Sequence, residues 1–238
     1  MLGRADFKDE DINPKNKDMS TPLHHAAKKG HLKICTLIIN QVRDKNPRDI
    51  NGITPLHMAA NEGHLEVCQL ISSLAETNNP QSNVGVSPLY FAVQGGHFEV
   101  AKFFLDLVEN KNPTENDISL LHLAACKGHF KIFQHIFGQV EEKNPSSING
   151  YTPLDWAAKE GHLDICRLIL DHIEEKNPKR ISPEGNLSQM TPLHVAARRG
   201  RLEICRLIID QVWSSQICKF ILFTFQNCGF DLGAFGFS

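Results

Sequence analysis

Histidine and cysteine are the residues that first suggest chemistry, with twelve of the former and seven of the latter in 238 residues. Imidazole and thiolate are the preferred zinc ligands, and both serve as bases or nucleophiles. Such roles need a short, defined spacing. The histidines instead fall into two regular series, His24, His57, His122 and His194, then His31, His64, His97, His129 and His162. Only His25, His135 and His172 lie outside them, with no ligand spacing in common. Cys35, Cys68, Cys166 and Cys205 share a slot that Ala101 and Phe133 fill elsewhere, an exchange that points to packing and not to redox chemistry. No Cys-x-x-Cys pair, Gly-x-Ser-x-Gly elbow, phosphate-binding Gly-x-x-x-x-Gly-Lys-[Ser/Thr] or His-Glu-x-x-His is present. Asp155 stands where the first series has histidine, and reads as a first-turn carboxylate favoured by the helix dipole. We therefore expect no catalytic, metal-binding or cofactor-binding residues, no cofactor, and no enzyme activity.

The histidines are periodic because they belong to one recurring stretch, clearest as Thr54-Pro55-Leu56-His57-Met58-Ala59-Ala60-Asn61-Glu62-Gly63-His64-Leu65. Copies begin at Thr21, Thr54, Ser87, Ser119, Thr152 and Thr191, so successive spacings are 33, 33, 32, 33 and 39 residues. A fixed period of this size marks an array of one supersecondary unit. Thr or Ser can cap a helix by accepting a first-turn amide, and Pro suits the first helical position. The histidine at the third position can reach back to the amide of the capping residue. Ala-Ala lets neighbouring helices approach. Gly30, Gly63, Gly96, Gly128, Gly161 and Gly200 then end the helix, where a left-handed residue costs glycine least. A second helix follows, such as Leu65-Glu66-Val67-Cys68-Gln69-Leu70-Ile71, with a broad apolar face. It is expected to stop at a recurring Asn-Pro (Asn46-Pro47, Asn79-Pro80, Asn112-Pro113, Asn144-Pro145, Asn177-Pro178), because proline disfavours helix at the preceding residue.

Thr-Pro-Leu-His-x-Ala-Ala-x-x-Gly-His at a period of 33 resembles the ankyrin repeat. Three copies depart from it: Ser87-Pro88-Leu89-Tyr90, Ser119-Leu120-Leu121-His122 and Thr152-Pro153-Leu154-Asp155. The resemblance implies an all-α ankyrin-repeat solenoid of stacked helix-turn-helix units with β-hairpin or turn fingers. Six repeats are expected over residues 14–212, at about 14–46, 47–79, 80–112, 113–144, 145–177 and 178–212. Residues 1–13 read as the end of a preceding repeat or an extension, since Asp9 to Pro14 echoes Glu141 to Pro145. Residues 213–238 form a hydrophobic tail with six of the fourteen phenylalanines and only Lys219 and Asp231 charged. Three readings of the tail stay open: a cap over the last repeat, attachment to a membrane or partner, or non-native sequence. Ile217 to Phe225, the one membrane candidate, is too short to span a bilayer as a helix.

A net charge of −2 argues against a nucleic-acid-binding surface, which would carry a basic excess. The opening residues do not read as a signal peptide, and the seven cysteines, none in a Cys-x-x-Cys pair, agree with a reducing compartment. A cytoplasmic setting is expected, with the nucleus left open.

The resemblance implies binding to other proteins through a concave groove of first helices and fingers. The family's variable positions fall here on Ser20, Ile53, Val86, Ile118, Tyr151 and Met190 before each Thr or Ser, and on the pairs before each glycine, including Lys28, Lys29, Lys127, Lys159, Arg198 and Arg199. The pairs sum to +4, six basic minus Glu62 and Glu160, so the rest of the chain carries −6. Basic ends and an apolar rail suit an acidic protein segment with apolar anchors. The function expected is a scaffold or adaptor. The alternative is a regulatory or targeting part of a larger enzyme, channel or ubiquitin-ligase assembly. The last finger is six residues longer than most, and Lys179 to Gln189 is either a contact loop or a neutral insertion.

Overall fold

The computed structural model describes residues 12–115, 118–179 and 190–227, with side chains to residue 216. The long finger at 180–189 and the far tail at 228–238 lie outside the described residues, as do residues 1–11. The described part is a succession of helix pairs in two compact units, residues 1–142 and 143–238.

The first unit contains α1 (Pro22–Lys28), α2 (Leu32–Ile39), α3 (Pro55–Glu62), α4 (Leu65–Leu74), α5 (Pro88–Gly95), α6 (Phe98–Leu107), α7 (Leu120–Lys127) and α8 (Phe130–Gln139). First helices stack on first helices, α1 on α3, α3 on α5 and α5 on α7. Second helices stack likewise, α2 on α4, α4 on α6 and α6 on α8. Leu23, Leu56, Leu89 and Leu121, the leucines of the repeated motif, are wholly buried between these layers beside Cys35, Cys68, Phe104 and Phe133. The second unit contains α9 (Pro153–Glu160), α10 (Leu163–His172), α11 (Pro192–Arg198) and α12 (Leu202–Asn227). Here α9 packs on α10 and α11, and α12 on α10 and α11, around Leu154, Cys166, Ile169 and Ile208. Burial drives the thiols up, Cys35 to about 11 and Cys68 and Cys166 to about 12, so they are unreactive at neutral pH.

The second helices end at Ile39, Leu74, Leu107, Gln139 and His172, before the Asn-Pro expected to stop them, because a turn separates the two; the Asn-Pro serves the next repeat instead. The asparagine Oδ1 accepts an orphan first-turn amide of the next first helix: Asn46 from Leu56 at 3.1 Å, Asn79 from Leu89 at 3.2 Å, Asn112 from Leu121 at 2.9 Å and Asn144 from Leu154 at 3.0 Å. Asn13 does the same for Leu23 at 3.1 Å, which explains the echo seen at Asp9 to Pro14. Asn177 reaches Leu193 at 3.0 Å although sixteen residues separate them, so the added length is accommodated between unchanged anchors. The lysine before Asn-Pro caps the other way. Lys111 Nζ donates to the carbonyls of Leu105 and Val108, both at 2.6 Å, and Lys45 and Lys176 repeat the pattern.

The fingers are tight turns closed by Asx- and Ser-type bonds. Asp49 Oδ1 accepts the amides of Asn51 and Ile53, both at 2.8 Å, and Gly52 takes the left-handed conformation. Ser82 and Ser147 accept the amides of Val86 and Tyr151 in the same manner. In the first finger that left-handed position is held by Met19. The fourth finger, one residue shorter, is a hairpin of β1 (Thr114–Glu115) and β2 (Ile118–Ser119), paired Thr114 to Ser119 and Glu115 to Ile118. Neighbouring fingers are joined, Ile50 N–H to Asp18 O at 2.9 Å and Asn83 N–H to Asn51 O at 3.0 Å.

Candidate functional site

The first histidine series is structural, and its geometry fixes the tautomer. Thr54 N–H donates to His57 Nδ1 at 3.1 Å, and the Thr54 hydroxyl lies 2.9 Å from the same nitrogen. A nitrogen that accepts an amide proton carries none, so the ring proton is on Nε2, which donates to Val86 O at 3.0 Å. His24 makes the same three contacts, to Thr21 twice and to Ile53 O at 3.1 Å. Each ring thus caps its own helix and holds the next finger. Both are buried, which lowers their pKa, that of His57 to about 4.

Two departures keep the cap with different chemistry. Asp155 Oδ2 accepts Thr152 N–H at 3.0 Å and the hydroxyl at 3.1 Å, so the carboxylate takes over the role of Nδ1. Asp155 is more than a dipole partner. In the third repeat Tyr90 cannot reach back, and the acceptor comes from the neighbouring finger. Glu115 accepts Ser87 N–H at 2.9 Å and the Ser87 hydroxyl at 2.5 Å while buried, and burial raises its pKa. A glutamate found only by position in the next repeat gives no sequence signal.

The second series seats the second, third and fourth repeats each on the one before. His64 Nε2 donates to Lys28 O at 3.1 Å, His97 to Asn61 O at 2.8 Å and His129 to Gln94 O at 3.1 Å. In the sixth repeat Arg201 Nε takes this place on Lys159 O at 3.3 Å. A Cβ on Gly63 would sit 2.4 Å from His97 Nδ1, and one on Gly30 2.5 Å from His64 Nδ1. The glycine is needed twice over, for its φ of +81° at Gly63 and for the approach of the next ring.

These contacts hold the backbone of the candidate binding positions. Lys28, Lys29 and Lys127 in the first unit, and Arg198 and Arg199 in the second, are exposed. None of the five is in an ion pair among the described residues. Lys159 differs: it is half-buried, paired with Glu160 at 3.4 Å, and its Nζ lies 4.4 Å from the centre of the Trp156 ring. Trp156 in turn stacks on Tyr151 with centroids 5.6 Å apart, so one candidate finger residue and one candidate base are joined through a tryptophan that sequence reasoning passed over. The spacing of three from Trp156 to Lys159 on one helix was the available signal.

The candidate apolar rail is less open than its position suggests. Val86 is buried, and Ile53, Ile118, Tyr151 and Met190 are half-buried, as is Ser20. The exposed large apolar side chains of the described fingers are Met19 at 41%, Ile50 at 56%, Val84 at 67% and Ile148 at 56%. These stand inside otherwise polar turns, a pattern visible in the sequence. Among the described residues no group of three or more His, Cys, Asp or Glu side chains could hold a metal, and no helix is long and apolar enough to cross a membrane.

Stacked helix pairs locked by capping histidines and finger turns define a helical-repeat solenoid. The family described as "Ankyrin repeats (3 copies)" matches residues 4–81, 44–117, 70–146 and 121–220, and the chain belongs to the ankyrin repeat family. The crystal structure of the human ASB11 ankyrin repeat domain is similar, with a TM-score of 0.70 and 23% identity over 80% of this chain and 83% of that one. A search of curated proteins by sequence finds no match. Ankyrin repeats generally mediate protein–protein interaction and are typically non-catalytic.

Proposed function

We propose that the chain is a scaffold or adaptor that binds an acidic protein segment carrying apolar anchors, with no chemistry of its own. The observation that carries this reading is that each unit carries exposed bases with no ion-pair partner among the described residues, Lys28, Lys29 and Lys127 in the first and Arg198 and Arg199 in the second. All stand at or beside the carboxyl end of a first helix, where the dipole favours cations. Their charge is therefore available to a partner's carboxylates. The apolar anchors of the partner are met by Ile53, Ile118, Tyr151 and Met190, and further out by Ile50, Val84 and Ile148. Val86 contributes through its backbone, which His57 holds. The setting we propose is cytoplasmic, in keeping with free thiols at Cys35, Cys68, Cys126, Cys166 and Cys205.

The test is charge reversal at Arg198 and Arg199 in the full chain, with partner affinity measured over a salt series. Affinity is expected to fall as salt rises in the parent, and to be lost with its salt dependence in the variant. A variant that binds as tightly and with the same salt slope refutes the electrostatic reading.

A further inference from the structure

The junctions joining the first, second and third repeats are each built from three matched parts. A histidine after the glycine of one repeat seats over the glycine of the repeat before it, as His64 does on Gly30, and bonds the carbonyl two residues ahead of that glycine. The capping histidine of the earlier repeat donates to the carbonyl before the next Thr, as His24 does to Ile53 O. Apolar side chains of consecutive second helices close the contact. Val67, Val100, Ile132 and Ile204 face the preceding helix and are 1 to 2% exposed, while Ile39, Leu105 and Leu170 face the following one and are 0 to 1% exposed.

All three parts recur on the first and sixth repeats, one half on each, unmatched among the described residues. On the first repeat Ile34, in the slot of Val67, is 47% exposed, and Leu37 beside it is 66% exposed. His31, in the slot of His64, is exposed and bonds no other described residue through its ring. On the sixth repeat Leu202 and Ile209 are 58% and 41% exposed, and Cys205, in the slot of the buried Cys68, is half-buried. A Cβ on Gly200 would meet nothing within 4 Å, unlike those on Gly30, Gly63, Gly96 and Gly161. His194 keeps its bonds to Thr191 through Nδ1, at 3.3 and 2.8 Å, but its Nε2 has no acceptor among the described residues.

We propose that these two faces are a self-complementary pair, and that the occupant of the sixth-repeat face is the first repeat of a second molecule of this chain. In that contact His31 of one molecule seats over Gly200 of the other and donates to Arg198 O. His194 donates to Ser20 O, which already has the turn geometry of Ile53 O, accepting Asn16 N–H at 2.9 Å as Ile53 O accepts Asp49 N–H at 2.8 Å. Ile34 and Leu37 cover Leu202, Cys205 and Ile209. The contact is heterologous, so it extends from molecule to molecule unless the rotation closes a ring. One term opposes it: Lys28 and Lys29 of one molecule come beside Arg198 and Arg199 of the other, as neighbouring first helices do within the chain. Four like charges make the association weak at low salt and stronger as salt screens them. That dependence is opposite in sign to the binding of an acidic partner, so the two proposals fail separately.

The experiment is sedimentation velocity on the full chain over a wide range of protein and salt concentration, with Leu37→Glu and Ile209→Glu as single variants. Both positions are exposed in the isolated chain, so each variant should fold, which circular dichroism checks. Parent molecules are expected to gain mass with concentration, more steeply at higher salt. Each variant alone stays monomeric, because one face of every molecule is blocked. An equimolar mixture of the two forms a dimer and goes no further, since one intact face of each kind remains. A parent that is monomeric at every concentration and salt overturns the proposal, and so does a single variant that associates as the parent does, which would move self-association to residues 213–238.

Discussion

Lowering the pH from 7 to 4 should unlock the junction between the second and third repeats through a single ring. His57 is 1% exposed, its Nδ1 accepts Thr54 N–H and its Nε2 donates to Val86 O. A second ring proton would have to sit on Nδ1, facing an amide that already points a hydrogen at it. Burial brings the pKa of the folded state to about 4, against 6.5 for a free imidazole. The unfolded chain therefore takes up the proton first, and the stabilising contribution is complete above pH 6.5 and lost as the pH falls towards 4. The shift of about 2.5 units corresponds to roughly 3 kcal/mol at 1.36 kcal/mol per unit. His24 adds to the loss in the same direction. The assay is urea denaturation of the parent and His57→Gln across this range, with the ring titrated by NMR. His57→Gln should be less stable at pH 7, and the gap between the two proteins should close as the pH approaches 4. A gap that does not change with pH, or a His57 ring that titrates near 6.5 in the folded protein, refutes the proposed bonding.

Two further outcomes follow from the junctions. Gly63→Ala and Gly200→Ala place the same methyl group on left-handed backbone, at a cost of about 1–2 kcal/mol each, but only the former meets a ring, His97 at 2.4 Å. Gly63→Ala should therefore cost on the order of 1–3 kcal/mol more by chemical denaturation, and equal costs would count against the ring-on-glycine contact. Glu115→Ala leaves the buried Ser87 amide and hydroxyl without their acceptor and should cost about 1–3 kcal/mol. Glu115→Gln, which keeps an acceptor and removes a charge whose pKa burial raises, should cost less in the same unfolding measurement at neutral pH. A Gln variant as unstable as the Ala variant would show that the charge itself is needed.

Much of the molecule was legible because repetition converts one local rule into six observations. Thr-Pro at a helix start, a histidine three residues on and a glycine at the end each satisfy backbone groups within a few residues of themselves, so their spacing alone specifies the helix pair. The helices at Pro22, Pro55, Pro88, Leu120, Pro153 and Pro192 begin directly after the capping Thr or Ser. The packing role of Cys35, Cys68 and Cys166 was equally plain from the residues that replace them.

What stayed hidden depends on groups that meet only after the chain has turned back on itself, over 16 to 36 positions in these cases. Glu115 caps a helix 28 positions earlier, His64 bonds a carbonyl 36 positions back, and Asn177 reaches across sixteen residues to Leu193. No window of sequence contains both partners. Exposure is hidden for the same reason: Val86 and Val84 are both finger valines, yet the first is 6% exposed and the second 67%. The first holds its backbone bonds to Ser82 and His57, while the second lies in the turn between Ser82 and Val86. The sequence by itself determined where each first helix starts and stops and that the units repeat, but not where the second helices end. Only the tertiary structure decided which polar group satisfies which, and which apolar side chains remain in water, because burial and hydrogen bonding between repeats are properties of neighbours in space.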